Sequence, residues 1–168
     1  MIPMTTSRVL ALEELLETLA PLRKAGHSVV TTNGCFDLFH VGHLRYLQAS
    51  KALGDLLVVA LNSDASVKTF KDDGRPIVPQ AERAELLSAL RCVDYVTIFD
   101  ATSPVDVLSA IAPDVHTKGA DYTLETLPEA PTLTALGTEI AFIDLVEGRS
   151  TSSLIQSILK VYAQPTAP

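Results

Sequence analysis

Apolar positions run along the chain in two alternating rhythms. Leu12, Leu15, Leu16, Leu19 and Leu22 recur at helical spacing and Gly26 is a natural stop, which predicts a helix over 9–25. Residues 28–32 are short and β-branched and predict a strand, broken by Asn33-Gly34. A helix over 41–53 closes at Gly54, and the unbroken apolar run 56–61 predicts a strand covered on both faces. Further along, the pattern predicts a short helix over 64–70, a polar loop over 71–79, a helix over 80–91 and a strand over 93–99. Ser103-Pro104-Val105-Asp106 reads as a helix start, with Ser as the cap and Pro at the first helical position. Strands follow at 114–118 and 138–144. A final helix over 151–163 gathers Leu154, Ile155, Ile158, Leu159 and Tyr162 on one face. The last residues, 164–168, are expected to be disordered.

Strands alternating with helices imply an α/β fold, a doubly wound, parallel sheet of five strands in the Rossmann-like manner. An N-terminal helix over 1–27 would precede a domain over 28–163. Such sheets bind ligands beyond the carboxyl ends of their strands, where the strand order reverses. Attention therefore falls on 33–43, 62–75, 100–103, 118–128 and 144–152.

Composition narrows the function. The chain has 168 residues, enough for one domain with one core. Thirteen Lys and Arg against 20 Asp and Glu leave a net charge of −7, with no basic stripe for nucleic acid. No apolar run approaches the ~20 residues of a membrane span, and the first 25 residues do not resemble a signal peptide. Two cysteines, Cys35 and Cys92, exclude a disulfide scaffold and fit a cytoplasmic protein. Both read as small packing residues.

In an acidic chain the placed cations and histidines are informative. His40 and His43 stand at the mouth of a helix, where free N–H groups suit a phosphate. Gly34 and Gly42 permit close approach of backbone to a ligand. Read without context, the pair is a strand-to-helix turn with two surface histidines. Zinc on Cys35, His40 and His43 fits no standard ligand spacing. A G-x-G-x-x-G run after the first strand is absent, as is a Walker A pattern. Arg83 heads a buried stripe with Leu86, Leu87 and Leu90, in a helix turn whose dipole disfavours a cation. It needs either a bound phosphate or a salt bridge, with Glu82 or Asp100 as partner. Lys118, at a strand end, is costly to bury without an anion. Asp64 reads as a cap of the short helix, and Tyr122 is either a site residue or a core aromatic. His27 and His116 belong to no motif.

His40-Val41-Gly42-His43, following a strand and opening a helix, resembles the H-x-G-H signature of the nucleotidylyltransferase superfamily. Five further segments fall in the superfamily's order: 32–37, Asn62-Ser63-Asp64, Arg75-Pro76, 118–122 and Gly148-Arg149-Ser150-Thr151-Ser152. Together, over about 28–160, they look most like the adenylyltransferase domain of bacterial ADP-heptose synthases.

The resemblance implies a cytidylyltransferase-like fold and transfer of AMP from ATP to a sugar 1-phosphate. It implies Mg²⁺ on the nucleotide phosphates and no metal held by protein ligands alone. By the same likeness His40, His43, Lys71 and Arg83 are catalytic. Nucleotide binding falls to Asn33, Gly34, Cys35, Phe36, Gly42, Asn62, Lys118, Gly119, Ser150, Thr151 and Ser152. The acceptor falls to Asp37, Asp64, Arg75, Asp121 and Tyr122. Lys71 departs from the usual Lys-Gly pair, being followed by Asp72 and Asp73. Many cytidylyltransferases have an apolar residue where Arg149 stands. A homodimer is expected, as is a separate sugar kinase supplying the phosphorylated acceptor. The competing expectations are CMP transfer to a glycerol-, ethanolamine- or phosphonate-type acceptor, and a nucleotide-binding module without turnover.

Overall fold

The computed structural model describes residues 8–71 and 74–163. The 164–168 tail therefore lies outside the described residues. In chain order the elements are α1 (Leu12–Lys24), β1 (Val29–Gly34), α2 (Val41–Lys51), β2 (Leu56–Asn62), α3 (Asp64–Lys68) and α4 (Gln80–Ser88). There follow β3 (Tyr95–Phe99), α5 (Val105–Ile111), β4 (Val115–Gly119), α6 (Ala130–Ala135), β5 (Glu139–Ile143) and α7 (Thr151–Tyr162).

The strands form one parallel sheet in the order β3-β2-β1-β4-β5. Successive side chains on a strand point to opposite faces, and the core divides accordingly. Val29, Val58 and Ala60 meet Leu15 and Leu19 of α1, Val107 and Leu108 of α5 and Leu133 of α6. Val30, Leu57, Val59 and Leu61 meet Leu47 of α2 and Leu87 of α4 on the other face. Burying each such leucine contributes about 1.5–3 kcal/mol. The order reverses between β1 and β4, which places a crevice over the carboxyl ends of β1, β2 and β4.

Asn33 and Gly34, expected to break the first strand, continue β1 and pair with Ala60 and Leu61 of β2. The structure departs from the pattern in four further places. Helix α1 starts at Leu12 because the preceding residues run beside β3: Leu10 N–H donates to Val96 O at 2.9 Å, and Val96 N–H to Arg8 O at 2.8 Å. Pro104 flanks α5 instead of opening it, and Ser103 Oγ accepts weakly from Val105 N–H at 3.4 Å. Helix α6 was not expected. Its sequence, Ala-Pro-Thr-Leu-Thr-Ala, has only Leu133 and two alanines to favour it, and burial of Ala130 and Leu133 decides the matter. The apolar face of α7 forms as expected but is not covered by the described residues. Leu154, Ile158, Leu159 and Tyr162 are all exposed.

Candidate active site

The loop between β1 and α2 is built on a tense backbone. Phe36 and Leu38 both take left-handed conformations, with φ of 47° and 48°. Each costs about 1–2 kcal/mol outside glycine. Such a loop persists only where its surroundings over-determine it, and three anchors do so. The Asp37 carboxylate is buried and accepts from Arg75 Nε at 2.6 Å and from the N–H groups of Ile77 and Val78, both at 2.9 Å. Burial pushes the Asp37 carboxyl up, but the two backbone donors and Arg75 outweigh it and hold it below its ordinary value. Thr151 Oγ1, at the start of α7, donates to Asp37 O at 2.8 Å. Beneath the loop, Arg83 Nη1 donates to Cys35 O.

The two histidines emerge from this loop in a fixed state. His40 caps α2, and its Nδ1 accepts from Gly42 N–H at 3.1 Å. His43 Nδ1 lies 3.4 Å from the His40 N–H and accepts from it. The rings stack with centroids 3.8 Å apart and planes 22° from parallel. A ring that accepts at Nδ1 carries its proton on Nε2. Each histidine therefore keeps one N–H for a ligand. Burial, with the charge of Arg149 beside it, holds His40 below the usual imidazole range. Burial and the neighbouring His40 press His43 down to about 4, against a smaller upward pull from Asp37. Both rings are thus neutral donors near neutral pH.

Gly42 is what allows the stack. A Cβ there would lie 2.8 Å from His40 Cε1 and 2.9 Å from His40 Nδ1. Gly42→Ala improves helix propensity by up to about 1 kcal/mol but drives the His40 ring off its cap. The expected result is a Tm close to wild type with most activity gone; full activity in the alanine variant would sever the link between this glycine and the ring.

These groups line a cavity of about 700 Å³ over the carboxyl ends of the strands. That is large enough for a nucleotide and a second small substrate, within the usual range for ligand sites. All but two of the predicted site residues lie on its wall. Asn33 and Gly34 end β1 and Cys35 and Phe36 follow it, Asn62 ends β2, and Lys118 and Gly119 end β4. Lys71 and Arg75 come from the loop after α3, Asp121 and Tyr122 from the loop after β4. Ser150, Thr151 and Ser152 come from the start of α7, where Ser150 and Ser153 each accept from the other's backbone N–H at 3.0 Å.

The two exceptions are Arg83 and Asp64, which the structure gives to each other. Arg83 is 1% exposed and off the cavity wall. Its Nε donates to Val78 O at 2.9 Å and its Nη2 to Asp64 Oδ1 at 2.8 Å. The salt bridge is thus present, with Asp64 as partner in place of Glu82 or Asp100. Nor does Asp64 cap α3. Ser63 does, accepting from Ser66 N–H at 3.1 Å, while Asp64 opens the helix and its N–H donates to Gln80 Oε1.

Sequence reasoning missed Glu129, Tyr46, Thr126, Leu145 and Val146, all on the wall. Glu129 is the anion that Lys118 required, 2.7 Å from its Nζ. Burial raises the Glu129 carboxyl, but the charge and hydrogen bond of Lys118 outweigh it and hold it below its ordinary value. Arg149, within a recognised segment but given no role of its own, stands beside His40 on the wall. Lys71 and Arg149 make no ion pair among the described residues, whereas Arg75 and Lys118 are paired.

A family model described as cytidylyltransferase-like matches residues 31–157. The chain belongs to the cytidylyltransferase-like family. Its nucleotidyltransferase signature is the H-x-G-H run, whose two histidines line the cavity. Among curated relatives of this family, the "Bifunctional protein HldE" of Syntrophotalea carbinolica is 46% identical over 158 residues, covering 94% of this chain and 32% of the relative. The protein of the same name from Helicobacter pylori strain G27 is 47% identical, covering 92% of this chain and 32% of its own length. The chain thus spans about a third of the length of these relatives. A solved structure described as the lipopolysaccharide core biosynthesis protein from Thermoplasma volcanium is 29% identical, with a TM-score of 0.60, covering 72% of this chain and 98% of that one. Pantothenate synthetase from Thermus thermophilus aligns at a TM-score of 0.63 with 15% identity, covering 95% of this chain and 68% of that one; this likeness concerns the fold alone. No helix among the described residues is long and apolar enough to cross a membrane.

The shifted groups set the acid limb of stability. The His43 value of about 4 lies below its ordinary 6.5, so the unfolded chain takes up a proton that the folded chain refuses between those values. Stability from His43 is full above pH 6.5 and falls as pH drops toward 4. Glu129, also held below its ordinary value, adds a second loss below pH 4.5. Urea midpoints measured between pH 8 and 4 should decline through the first window, and His43→Gln should flatten that decline.

Proposed function

We propose that the chain transfers AMP from ATP to a sugar 1-phosphate, D-glycero-β-D-manno-heptose 1-phosphate, releasing pyrophosphate and ADP-heptose. The observation that carries the reading is the stacked histidine pair, each ring keeping one N–H unused, on the wall of a cavity that also holds Lys71 and Arg149, two cations with no ion pair among the described residues. The choice of adenine and heptose rests on the likeness to the HldE proteins and to the lipopolysaccharide core protein.

A phosphate oxygen of the acceptor forms a bond to the α-phosphorus of ATP, and the bond to the bridging oxygen breaks in line. The nucleophile is already an anion, so the chain supplies position and charge. His40 and His43 donate to oxygens on and next to the α-phosphorus. Lys71, Arg149 and the start of α7 hold the outer phosphates. Asp121 and Tyr122 face the acceptor. Arg83 and Asp64 serve by holding the histidine loop from below. No three His, Cys, Asp or Glu side chains converge on a metal site among the described residues, and Asp37 and Glu129 are already engaged. Such a wall fits Mg²⁺ carried on the triphosphate, where it would offset charge on the leaving pyrophosphate.

The reaction belongs to the cytoplasm, downstream of a sugar kinase. A homodimer would have the uncovered face of α7 available to it. The test is pyrophosphate release from Mg²⁺, the heptose 1-phosphate and either ATP or CTP. Release with ATP alone supports the reading. Release with CTP alone moves the base preference, and silence with both removes the substrate assignment.

A further inference from the structure

Behind the cavity wall lies an imidazole with half its hydrogen bonding unmet. His116, on β4, is fully buried. Its Nδ1 is 2.8 Å from Thr31 Oγ1 on β1, while its Nε2 has no hydrogen-bond partner among the described residues. Glu129 Oε1 is 3.8 Å from that Nε2, beyond hydrogen-bonding reach. The same oxygen accepts from Lys118 Nζ at 2.7 Å, and Lys118 also donates to Asn33 Oδ1 at 2.7 Å. One buried carboxylate thus stands between two donors and satisfies one of them.

The tautomer follows from the neighbours. With the Thr31 hydroxyl donating to Nδ1, the proton rests on Nε2, facing Glu129. The opposite tautomer would set a lone pair against a carboxylate. Burial holds His116 below its ordinary value, which keeps the ring neutral. Lys118 lies on the cavity wall, 5.2 Å from the centroid of the Tyr122 ring. A phosphate oxygen arriving at this ammonium meets Glu129 already there. Two anions on one poorly solvated cation repel strongly. A buried donor 3.8 Å away is where the carboxylate can go, and about an ångström of movement makes that bond.

We propose that Glu129 is a positioning residue that holds Lys118 until a substrate phosphate takes the ammonium, and then passes to the Nε2–H of His116. The proposal rests on reading the cavity as a phosphate site, and its chemistry is the same for a phosphate of the nucleotide or of the sugar.

The Nε2–H proton of a buried imidazole exchanges slowly enough to be followed by proton–nitrogen NMR on the full chain. Three ligands are added separately: Mg-ATP, the heptose 1-phosphate and inorganic pyrophosphate. The His116 signal is expected to move downfield with at least one of them, and the arm that moves it says which phosphate Lys118 takes. In Glu129→Gln the same additions should leave it in place. Lys118→Met frees Glu129, so the signal should already be downfield before any ligand is added. A wild-type signal unmoved by all three, or a Lys118→Met signal at the wild-type position, overturns the relay. Pyrophosphate release by the wild-type sample judges the heptose reading separately, and the pyrophosphate arm does not depend on either substrate being correctly named.

Discussion

Replacing His40 by alanine lowers kcat by about 10²–10³-fold, the usual consequence of losing one donor to a developing oxyanion. The same substitution removes the cap of α2, because Nδ1 no longer accepts from Gly42 N–H. A lost cap costs about 1 kcal/mol, or about 2–4 °C of Tm in a domain this size. The two effects separate in His40→Asn. Asparagine is a good cap and should return the Tm, but its amide is too short to place a donor where Nε2 was, so kcat should stay low. His43→Ala should lose as much in kcat, since its Nε2–H is fixed in the same way. Steady-state pyrophosphate release and thermal unfolding on the four proteins decide it. An asparagine variant that recovers turnover would show that His40 matters as a cap and not as a donor.

That separation could not be read from the sequence, although the residues could. The H-x-G-H run and the helix behind it were legible from the sequence, but the end of β1 was not, because Asn33 and Gly34, though poor strand formers, are held in the sheet by pairing with Ala60 and Leu61. The parallel sheet was legible because 56–61 does not alternate, so it must be covered on both sides. The tautomers were not, because they depend on which backbone N–H each Nδ1 meets. Helix α6 was invisible for want of periodicity, its six residues being shaped by packing of Leu133. The stripe on α7 was legible, but an apolar stripe states only that a face seeks burial, and among the described residues Leu154, Ile158, Leu159 and Tyr162 stay exposed.

Charge partners were the least legible feature. Lys118 announced its need for an anion, and the site's architecture met it with Glu129, eleven residues on. Arg83 likewise announced a need, but its acceptors are Cys35 O, 48 residues before it, Asp64 and Val78 O. Periodicity identifies the face on which such a residue lies. It contains nothing about which carbonyl a strained loop will turn toward that face.

Arg83 therefore offers the largest stability effect in the molecule. Arg83→Met keeps the volume and removes the fork. Three acceptors then lose their donors at once: Cys35 O, Val78 O and the Asp64 carboxylate. Breaking a buried charge network costs about 3–5 kcal/mol, and because Asp64 is partly solvated the lower end applies, giving a Tm about 10 °C below wild type. Arg83→Lys should fall between, since one ammonium can reach one acceptor but not three. The loop above should loosen with the same ranking. Cys35, half-buried with its thiol pushed up by burial, reports this directly. In a Cys92→Ser background its reaction with a thiol reagent should quicken from wild type to Arg83→Lys to Arg83→Met, at a temperature where all three are folded. A direct phosphate ligand predicts another pattern: KM for ATP rises in Arg83→Met while Tm and thiol reactivity stay at wild type. The burial of Arg83 and its three protein acceptors point to the first result. Its contribution to catalysis then runs through the histidine loop that it holds in place.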